Sequence, residues 1–543
     1  MPKEILFDSE AADKMLSGIN QLARAVKSTM GPHGKNVIIS RDNRVAVTKD
    51  GASVAIEVEL ADPIENVAAQ LVKQIAHKTA IETGDGTTTA TVLAEALYSR
   101  GLKAMKDHNA REVLEGMNLA LADIVHELNA LTLEVKSTET LREIATISAN
   151  GDTEIGNWIA EAFNEVGFNG LVTAQLSTGS ESKFEITQGM QFNSGYISPL
   201  FLINEVPEIV YEKPLIFLFD GKVNAIKEIM PILEYSSTEK ANSPIVIIAA
   251  GFDAALLPII AKMKSSGLIR PIFIQIPGGS QPSFFADIAI AIGGKLVSVR
   301  NGVTLESLRD GQTIAKFVGS CERIIVKESQ TQILGGAGSE EVVKLYTDEL
   351  RKAIESDSTS PSQKMILKER ISRLERGIAI IHVGGDSEVE QREKFDRVED
   401  AIGATKAAIA EGYIAGGGLT LANIAAVLKN EYEKTETKES ITVGKRAVLD
   451  AVTEPFITIV LNSGYDPKEV WNKICEKNLQ NFGFNARTGE YVNLLTAGII
   501  DPTRVTRRAL ENAASVATLI LNSRCLMVKY SNQSSAPSFN MSI

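Results

Sequence analysis

Apolar residues recur at helical spacing through most of the first third of the chain, which predicts a largely helical N-terminal region. The first such stripe consists of Met15, Ile19, Leu22, Val26 and Met30. Gly31-Pro32 follows it directly, and this pair is a typical helix stop. Residues 36–49 then predict a short β-hairpin.

Two further helical stripes flank a segment rich in glycine and threonine. They consist of Ile64, Val67, Ala68, Leu71, Val72, Ile75 and Ala76 before it, and of Val92, Leu93, Ala96 and Leu97 after it. The segment, Gly84-Asp85-Gly86-Thr87-Thr88-Thr89-Ala90-Thr91, is therefore predicted at a helix start, where free N–H groups and the helix dipole attract anions. Threonine hydroxyls suit phosphate, and a lone carboxylate suits Mg²⁺. Because Asp, Thr and Gly are also ordinary cap and turn residues, the segment alone leaves both interpretations open.

The pattern changes from about residue 214, where short β-rich runs such as 215–219 and 245–248 alternate with helical segments. This alternation predicts a separate α/β domain. Its most apolar stretch, 244–263, is interrupted by glycine and proline, and so predicts a buried strand followed by a helix rather than a membrane span.

Two helical stripes separated by a Ser/Thr/Pro break at 356–362 predict a helical hairpin. The last quarter returns to helix, with a strongly apolar run at 513–521, and the uncharged tail after Tyr530 is predicted to be disordered. The helical–mixed–helical order predicts one domain built from both chain ends, with another inserted between them.

Composition narrows the class of protein. A length of 543 residues predicts two or three domains, and a net charge of −12 argues against a nucleic-acid partner. The first eight residues contain no apolar run of signal-peptide length. Three widely spaced cysteines favour reduced thiols and a cytoplasmic location, and the five histidines show no metal-ligand spacing. We therefore expect a soluble protein without a membrane or nucleic-acid partner.

Nine short segments together carry a family resemblance. They are Thr29-Met30-Gly31-Pro32, Thr48-Lys49-Asp50-Gly51, Gly84 to Thr91, Thr146-Ile147-Ser148-Ala149-Asn150, Gly189-Met190-Gln191-Phe192, Arg397-Val398-Glu399-Asp400-Ala401, Glu411-Gly412, Ala415-Gly416-Gly417-Gly418 and Asp501-Pro502-Thr503. In this order and at these separations, the chain resembles group I chaperonins, the GroEL-like 60 kDa proteins, over nearly its whole length.

The resemblance implies a multi-domain fold and an assembly. The implied parts are a mainly α-helical equatorial ATP-binding domain (1–131 and 411–530), a small α/β intermediate domain (132–188 and 377–410), an inserted α/β apical domain (189–376) and a disordered tail (531–543). It also implies a homo-oligomer of seven-membered rings around a cavity for non-native polypeptides. A GroES-type co-chaperonin would close that cavity.

The resemblance further implies a site for ATP and Mg²⁺, with K⁺ as a further candidate cation. Asp85 would be the Mg²⁺ ligand, while Gly86, Thr87, Thr88 and Thr89 would hold phosphate. Thr29, Met30, Gly31 and Pro32 would form a second loop around the nucleotide, with Lys49 as a positive charge and Gly417 at close approach. Asn485 and Ala486 would contact the base, and Asp501 the ribose. Lys49, Gly417 and Asp501 each have a plainer alternative, because a solvated turn lysine, a flexible glycine run and an Asp-Pro turn are all common.

Asp400 is the predicted water-activating residue. Phe395, Val398, Ile402, Thr405 and Ile409 share one helical face, and Asp400 projects from the opposite one. A solvated surface carboxylate is the reading that the pattern alone favours. The resemblance instead makes Asp400 an arm of the intermediate domain that reaches the γ-phosphate when that domain closes, with Asp50 as a second carboxylate near the water.

The predicted client-binding region departs from the family more than the nucleotide site does. Its groove positions are Tyr196, Leu200, Phe201, Met230, Leu233, Leu257, Ala261, Lys262 and Met263. Lys262 stands where the family has an apolar residue and Leu200 where it has tyrosine; Met230 and Leu233 have the alternative of being ordinary core residues. Gly189 fits the hinge between the intermediate and apical domains. Where the chain crosses back between these domains it has Arg376-Gly377, whereas the family usually has Gly-Gly. Segments 250–255 and 277–282 also differ from the family. Arg487 stands where the family has alanine. These departures indicate a divergent paralogue.

Three functions are therefore considered, from the most to the least favoured. The first is an ATP hydrolase that drives protein folding with a co-chaperonin. The second is a specialised paralogue that retains ATPase activity but has altered or lost binding of the co-chaperonin and of general clients. The third is a small-molecule kinase, which is disfavoured because the sequence shows no second substrate site beside the phosphates.

Overall fold

The computed structural model describes residues 3–41, 44–168, 170–177, 179–187, 189–202, 208–239, 243–267, 269–276, 282–355, 360–375, 377–434, 438–477 and 479–529. The chain packs as two compact units. The first unit consists of the described parts of 1–161, 174–183 and 382–543, and the second of those of 162–173 and 184–381. The first unit is thus built from both ends of the chain, as the sequence predicted, and the three-domain division stays a prediction.

The bounds of the elements, in chain order, are as follows. The helices are α1 Asp8–Lys27, α2 Gly51–Glu57, α3 Pro63–Thr83, α4 Thr87–Met105, α5 Ala110–Ala130, α6 Thr138–Ser148, α7 Thr153–Val166, α8 Ile226–Glu234, α9 Leu256–Ser265, α10 Pro282–Ile292, α11 Gly311–Ala315, α12 Glu340–Glu355, α13 Pro361–Glu375, α14 Glu388–Glu411, α15 Leu419–Tyr432, α16 Glu439–Val452, α17 Glu454–Asn462, α18 Pro467–Lys477 and α19 Thr503–Leu521. The strands are β1 Lys3–Phe7, β2 Val37–Arg41, β3 Arg44–Thr48, β4 Leu171–Leu176, β5 Lys183–Thr187, β6 Gly189–Phe192, β7 Ile209–Glu212, β8 Leu215–Val223, β9 Ile245–Phe252, β10 Pro271–Gln275, β11 Leu296–Val297, β12 Gly319–Val326, β13 Thr331–Gly336, β14 Ile378–Val383, β15 Tyr413–Ala415, β16 Phe482–Asn485, β17 Glu490–Asn493, β18 Ile500–Pro502 and β19 Cys525–Lys529.

The first unit is mainly helical. One hydrophobic core is formed by the apolar stripes of α1, α3, α4, α5, α16 and α19. The helices pack these stripes against one another and so remove them from water. The predicted stripe of α1 is buried at Met15, Ile19, Leu22 and Val26, and the predicted hairpin is the pair β2–β3. Strand β1 pairs antiparallel with β19, so the two ends of this unit form one small sheet.

Local sequence sets the ends of α3 and the start of α4. Asp62 caps α3 by accepting from the backbone N–H groups of Ile64 and Glu65, and Pro63 occupies the first helical position, where no N–H is needed. The helix ends at Gly84, whose φ of 73° is left-handed and is therefore accessible at little cost to glycine. Helix α4 begins only three residues later.

The second unit is an α/β structure. Its eight-stranded sheet has the order β10-β9-β8-β12-β13-β6, with β11 added beside β8 and β7 beside β12. Strands β8, β9 and β10 run parallel and are buried, which explains why they read as continuous apolar runs. The predicted strand–helix of 244–263 is β9–α9, and the predicted helical hairpin is α12–α13.

Both glycines predicted at hinges lie in crowded places in the second unit. A Cβ on Gly189 would lie 2.5 Å from the carbonyl oxygen of Ile333, and one on Gly377 would lie 2.7 Å from the Ile186 side chain. Close packing therefore accounts for glycine at both positions, and the hinge role stays a prediction. Arg376, residues 277–281 and the tail 531–543 lie outside the described residues.

Among the described residues, each helix is too short or too polar to span a bilayer.

Candidate functional site

A cleft of about 530 Å³ lies within the first unit. It is lined by every residue that the sequence predicted for nucleotide, cation or water: Thr29, Met30, Gly31, Pro32, Lys49, Asp50, Asp85, Gly86, Thr87, Thr88, Thr89, Asp400, Gly417, Asn485, Ala486 and Asp501. These residues come from segments spread over more than 470 positions of sequence, so only the fold brings them together.

The start of α4 forms one wall. Gly86 is its N-cap residue, with φ 84°, and has no side chain to accept from the first N–H groups of the helix. Asp85 does not cap the helix either, because its Oδ1 accepts from the Gly86 N–H at 2.5 Å and its Oδ2 from the Ser148 hydroxyl at 2.6 Å. The helix start is thus open to an acceptor from outside the chain, such as a phosphate oxygen.

Asp50 is fixed at the start of α2. Its carboxylate accepts from the N–H groups of Ala52 at 3.0 Å and Ser53 at 2.7 Å, which makes it an N-cap. Gly51 then packs against α4: a Cβ there would lie 2.0 Å from the Thr88 hydroxyl oxygen. Asp50 is therefore a cap and a cleft residue at once.

Asp400 enters the cleft from α14. The predicted buried face is confirmed at Val398, Ile402 and Thr405, whereas Phe395 is only half-buried. Asp400 projects from the other side of the helix into the cleft instead of into bulk solvent. Asp400 is therefore a cleft residue and not a solvated carboxylate on the surface.

One turn of helix before Asp400, Arg397 anchors α14. Its guanidinium contacts the Asp152 carboxylate at 3.2 Å and the Glu393 carboxylate at 2.8 Å. Asp152 also caps α7 by accepting from the Glu154 N–H at 3.0 Å. The helix that carries Asp400 is thus fastened to the short joint between α6 and α7.

The carboxylates of the cleft perturb one another. Burial raises the pKa of Asp400 well above its usual range, and the nearby charges of Asp85 and Asp50 raise it further. The pKa of Asp85 is also raised, first by burial and then by Asp50, against the opposing effect of its two hydrogen bonds. Burial and the charge of Asp85 raise the pKa of Asp501 to about 6. A divalent cation would relieve this repulsion, so the donor set fits Mg²⁺, a hard ion that prefers oxygen.

Cationic side chains lie on another part of the cleft. Lys49 donates to the Pro32 carbonyl at 3.3 Å, and its pKa is lowered by burial and by the positive charges of Arg487 and Arg397. Lys49 and Arg487 both line the cleft. An anion bound beside Lys49 would favour its charged form, which fits a phosphate chain.

The remaining predicted residues lie on two short sheets. Asp501 stands in β18 opposite Ile414 of β15, and its carboxylate accepts from the Gly417 N–H. Asn485 ends β16, and its side-chain oxygen accepts from the Arg487 N–H at 3.0 Å, which shapes the β16–β17 turn.

Several further residues that line the cleft had no role predicted from the sequence. Arg142, Glu143 and Thr146 of α6 line the cleft, as does Ile459 of α17. Thr146 and Ser148 both stand in one of the nine motif segments but were given no role, although the Ser148 hydroxyl donates to Asp85. Helical spacing could have placed 142, 143 and 146 on one side of α6, but nothing in the sequence showed which side faces the cleft.

The predicted groove positions in the second unit fall into three groups. Tyr196, Phe201 and Leu233 are buried, Met230, Leu257, Ala261 and Met263 are partly buried, and Leu200 and Lys262 are exposed. The buried three belong to the core of this unit. For Leu233 the structure therefore supports the alternative interpretation, that it is an ordinary core residue.

Comparison with known proteins agrees with this architecture. The model of the TCP-1/cpn60 chaperonin family matches residues 22–529. Among solved structures, the chain is similar to the chaperonin gp146 from the bacteriophage EL 2 (Pseudomonas aeruginosa), crystallised in the presence of ATP-BeFx. The two crystal forms give TM-scores of 0.69 and 0.62 at 20% identity, each covering 97% of this chain and 99% of that one. This likeness shows that the chain has the multi-domain fold of GroEL-like chaperonins.

Proposed function

Because the chain belongs to the TCP-1/cpn60 chaperonin family, we propose that it hydrolyses ATP to promote the folding of non-native polypeptides. The observation that carries the proposal is the meeting of Asp400, Asp85 and Asp50 with the open start of α4 in one cleft. Such a cleft offers a phosphate cradle and a carboxylate for water, which are the parts that phosphoryl transfer to water requires.

The phosphates would lie against the start of α4. The N–H groups and hydroxyls of Thr87, Thr88 and Thr89 supply donors there, and the helix dipole adds favourable charge. Thr29, Met30, Gly31 and Pro32 would line the opposite side, with the Lys49 ammonium group facing phosphate. Asn485 and Ala486 would contact the base, Asp501 the ribose, and Gly417 leaves room for both.

Asp400 would orient the attacking water and accept its proton. A carboxylate with a raised pKa is a stronger base than an exposed one, which suits this task near neutral pH. Asp50 would accept a second hydrogen bond from the same water. Asp85 would hold Mg²⁺, which supplies charge neutralisation for the phosphates when bound, and K⁺ is a further candidate at the site.

We further propose the assembly that the family resemblance implies. Homo-oligomeric, seven-membered rings would enclose non-native clients in a cytoplasmic chamber closed by a GroES-type co-chaperonin. The client surface would lie on the second unit around Leu200 and the partly buried Leu257 and Met263, because exposed apolar side chains recognise unfolded chains. The division into equatorial, intermediate and apical domains belongs to this proposal.

The test uses Asp400→Ala beside a matched control, Glu399→Ala. Glu399 is the neighbouring carboxylate on α14 but does not line the cleft. We expect Asp400→Ala to lower ATP turnover by about 100-fold or more while it still binds a fluorescent ATP analogue. Client refolding with ATP and a co-chaperonin should slow in parallel. Wild-type turnover in Asp400→Ala would refute the proposed role.

A specialised paralogue is the second candidate. It is favoured by the exposed Lys262 and by the burial of Phe201 and Leu233, which together leave less apolar surface than the groove positions predicted. The discriminating measurement is the capture of several unrelated denatured proteins by the purified chain. Intact ATPase activity without such capture would select this candidate over general folding.

A further inference from the structure

Arg487 stands at the tip of the β16–β17 hairpin and reaches another part of the cleft wall. Its guanidinium donates to the carbonyl oxygen of Asn150 at 2.9 Å and to that of Gly151 at 3.4 Å. Arg487, Asn150 and Gly151 all line the cleft, and Arg487 itself is exposed. The contact therefore bridges two walls of the cleft at its solvent-facing rim.

The receiving segment is shaped for this contact. Asn150 and Gly151 follow α6 with φ values of 57° and 83°, a left-handed pair that directs the chain from α6 into α7. A Cβ on Gly151 would lie 1.7 Å from the Arg487 Nη2 atom, so glycine leaves the space that the guanidinium fills. A cation at the C-terminal end of a helix is also favoured by the helix dipole.

The hairpin that carries Arg487 packs against neighbouring aromatic side chains. Phe484 in β16 packs its ring against Tyr465 at 4.9 Å and Tyr491 at 5.3 Å between centroids. Ala486 is buried with this cluster, next to Arg487 in the chain. A rigid base makes the tip a fixed attachment point instead of a mobile one.

We propose that Arg487 is a positioning residue that latches the hairpin tip to the α6–α7 joint and thereby slows the release of nucleotide from the cleft. The inference rests on the proposed nucleotide-binding function. The latch joins the wall that carries Asn485 and Ala486 to the joint on which Asp152 anchors Arg397 of α14. Opening the rim thus requires breaking the two Arg487 hydrogen bonds.

The main test measures the release of fluorescent ADP and ATP analogues from full-length protein by stopped-flow chase. Arg487→Ala should release both analogues about tenfold faster, because two hydrogen bonds from a charged donor are lost at an exposed site. Arg487→Lys should lie between this variant and the wild type, since lysine keeps the charge but not the paired donors. Thr488→Ala, in the same turn but outside the cleft lining, is the matched control and should release at the wild-type rate.

Two release results would overturn the latch. One is a wild-type rate in Arg487→Ala. The other is faster release of the triphosphate alone, which would make Arg487 a direct phosphate contact.

A second readout needs no nucleotide. Amide hydrogen exchange around residues 149–152 should rise in Arg487→Ala, while the thermal unfolding midpoint stays at the wild-type value. Unchanged exchange there, or a general rise with a lowered midpoint, would also contradict the latch. If the wild type binds no nucleotide at all, the proposed function fails, and the exchange result still reports separately on the contact.

Discussion

Gly84 and Gly403 touch backbone to backbone. A Cβ on Gly84 would lie 2.6 Å from the Gly403 Cα, and a Cβ on Gly403 would lie 2.7 Å from the Gly84 Cα. Gly84 directly precedes Asp85, and Gly403 lies one helical turn after Asp400. The absence of two side chains is therefore what lets α14 approach the α3–α4 turn closely enough to share a cleft with it.

We predict that Gly403→Ala pushes α14 away from the turn. The added methyl group cannot share space with backbone, so Asp400 should retreat from the phosphate site. ATP turnover should fall about tenfold or more, because small misplacements of catalytic groups are costly. Steady-state turnover and single-turnover cleavage both measure this effect.

Stability provides the check on Gly403→Ala. In an uncrowded helix the change from Gly to Ala stabilises by about 1 kcal/mol. We expect a lowered unfolding midpoint instead, and a raised midpoint with normal turnover would show that the contact is not restrictive. Ala410→Ser, which adds one atom at an exposed position of α14, should change neither quantity.

We predict that Asp400→Asn stabilises the nucleotide-free protein while it abolishes turnover. Because the pKa of Asp400 is raised by folding, the folded state holds its proton more tightly than the unfolded chain does. Stability is therefore lost as pH rises from about 4, the unfolded value, through the raised folded value. Asparagine lacks this charge and removes the loss.

Thermal unfolding of Asp400→Asn and wild type across pH 4 to 8 measures the effect. The midpoints should be close at pH 4, and at pH 8 the midpoint of Asp400→Asn should be the higher of the two. Glu399→Gln on the same helix should stay close to the wild type, because Glu399 is the weakest of the charges that raise the pKa of Asp400. Equal midpoints at pH 8 would show that the cleft carboxylates do not destabilise the empty site.

Lys264 gives a prediction for the second unit. It is buried, donates from Nζ to the Phe201 carbonyl, and lies 5.8 Å from the centroid of the Tyr211 ring. Burial lowers its pKa to about 8. The folded state thus holds this proton less tightly than the unfolded chain, and wild-type stability should rise with pH between about 8 and 10.5.

Lys264→Met removes this titration. The free energy of unfolding of the variant minus that of the wild type should decrease by up to about 3 kcal/mol from pH 7 to pH 10.5. Denaturant unfolding at several pH values measures it, with the exposed Lys262→Met on the same helix as a control. A difference that does not vary with pH would mean that Lys264 titrates normally.

Elements set by local pattern were predictable from the sequence. The β2–β3 hairpin, the helix break at Gly84, the β9–α9 unit and the α12–α13 hairpin each follow from apolar periodicity and turn residues within a short window. The gathering of the cleft residues was not predictable in this way. It came from the family resemblance, because spacing alone favoured a surface role for Asp400.

Long-range contacts of glycines and of backbone carbonyls could not be predicted from the sequence. Gly403 reads as an ordinary weak helix position until the fold places Gly84 against it. Arg487 was visible as a departure from the family, but its acceptors are backbone carbonyls, which every residue has. Phe201 and Leu233 matched groove positions by sequence, whereas the packing of the second unit buries them.

The pairing of β1 with β19 has a consequence for synthesis on the ribosome. Phe7 pairs with Cys525 and Lys3 with Lys529, so β1 must wait until β19 has been translated. Most of the second unit is one continuous stretch, 184–381, and emerges long before that. The inserted unit can therefore acquire its structure co-translationally, whereas the unit that holds the cleft closes only after β19 has left the exit tunnel.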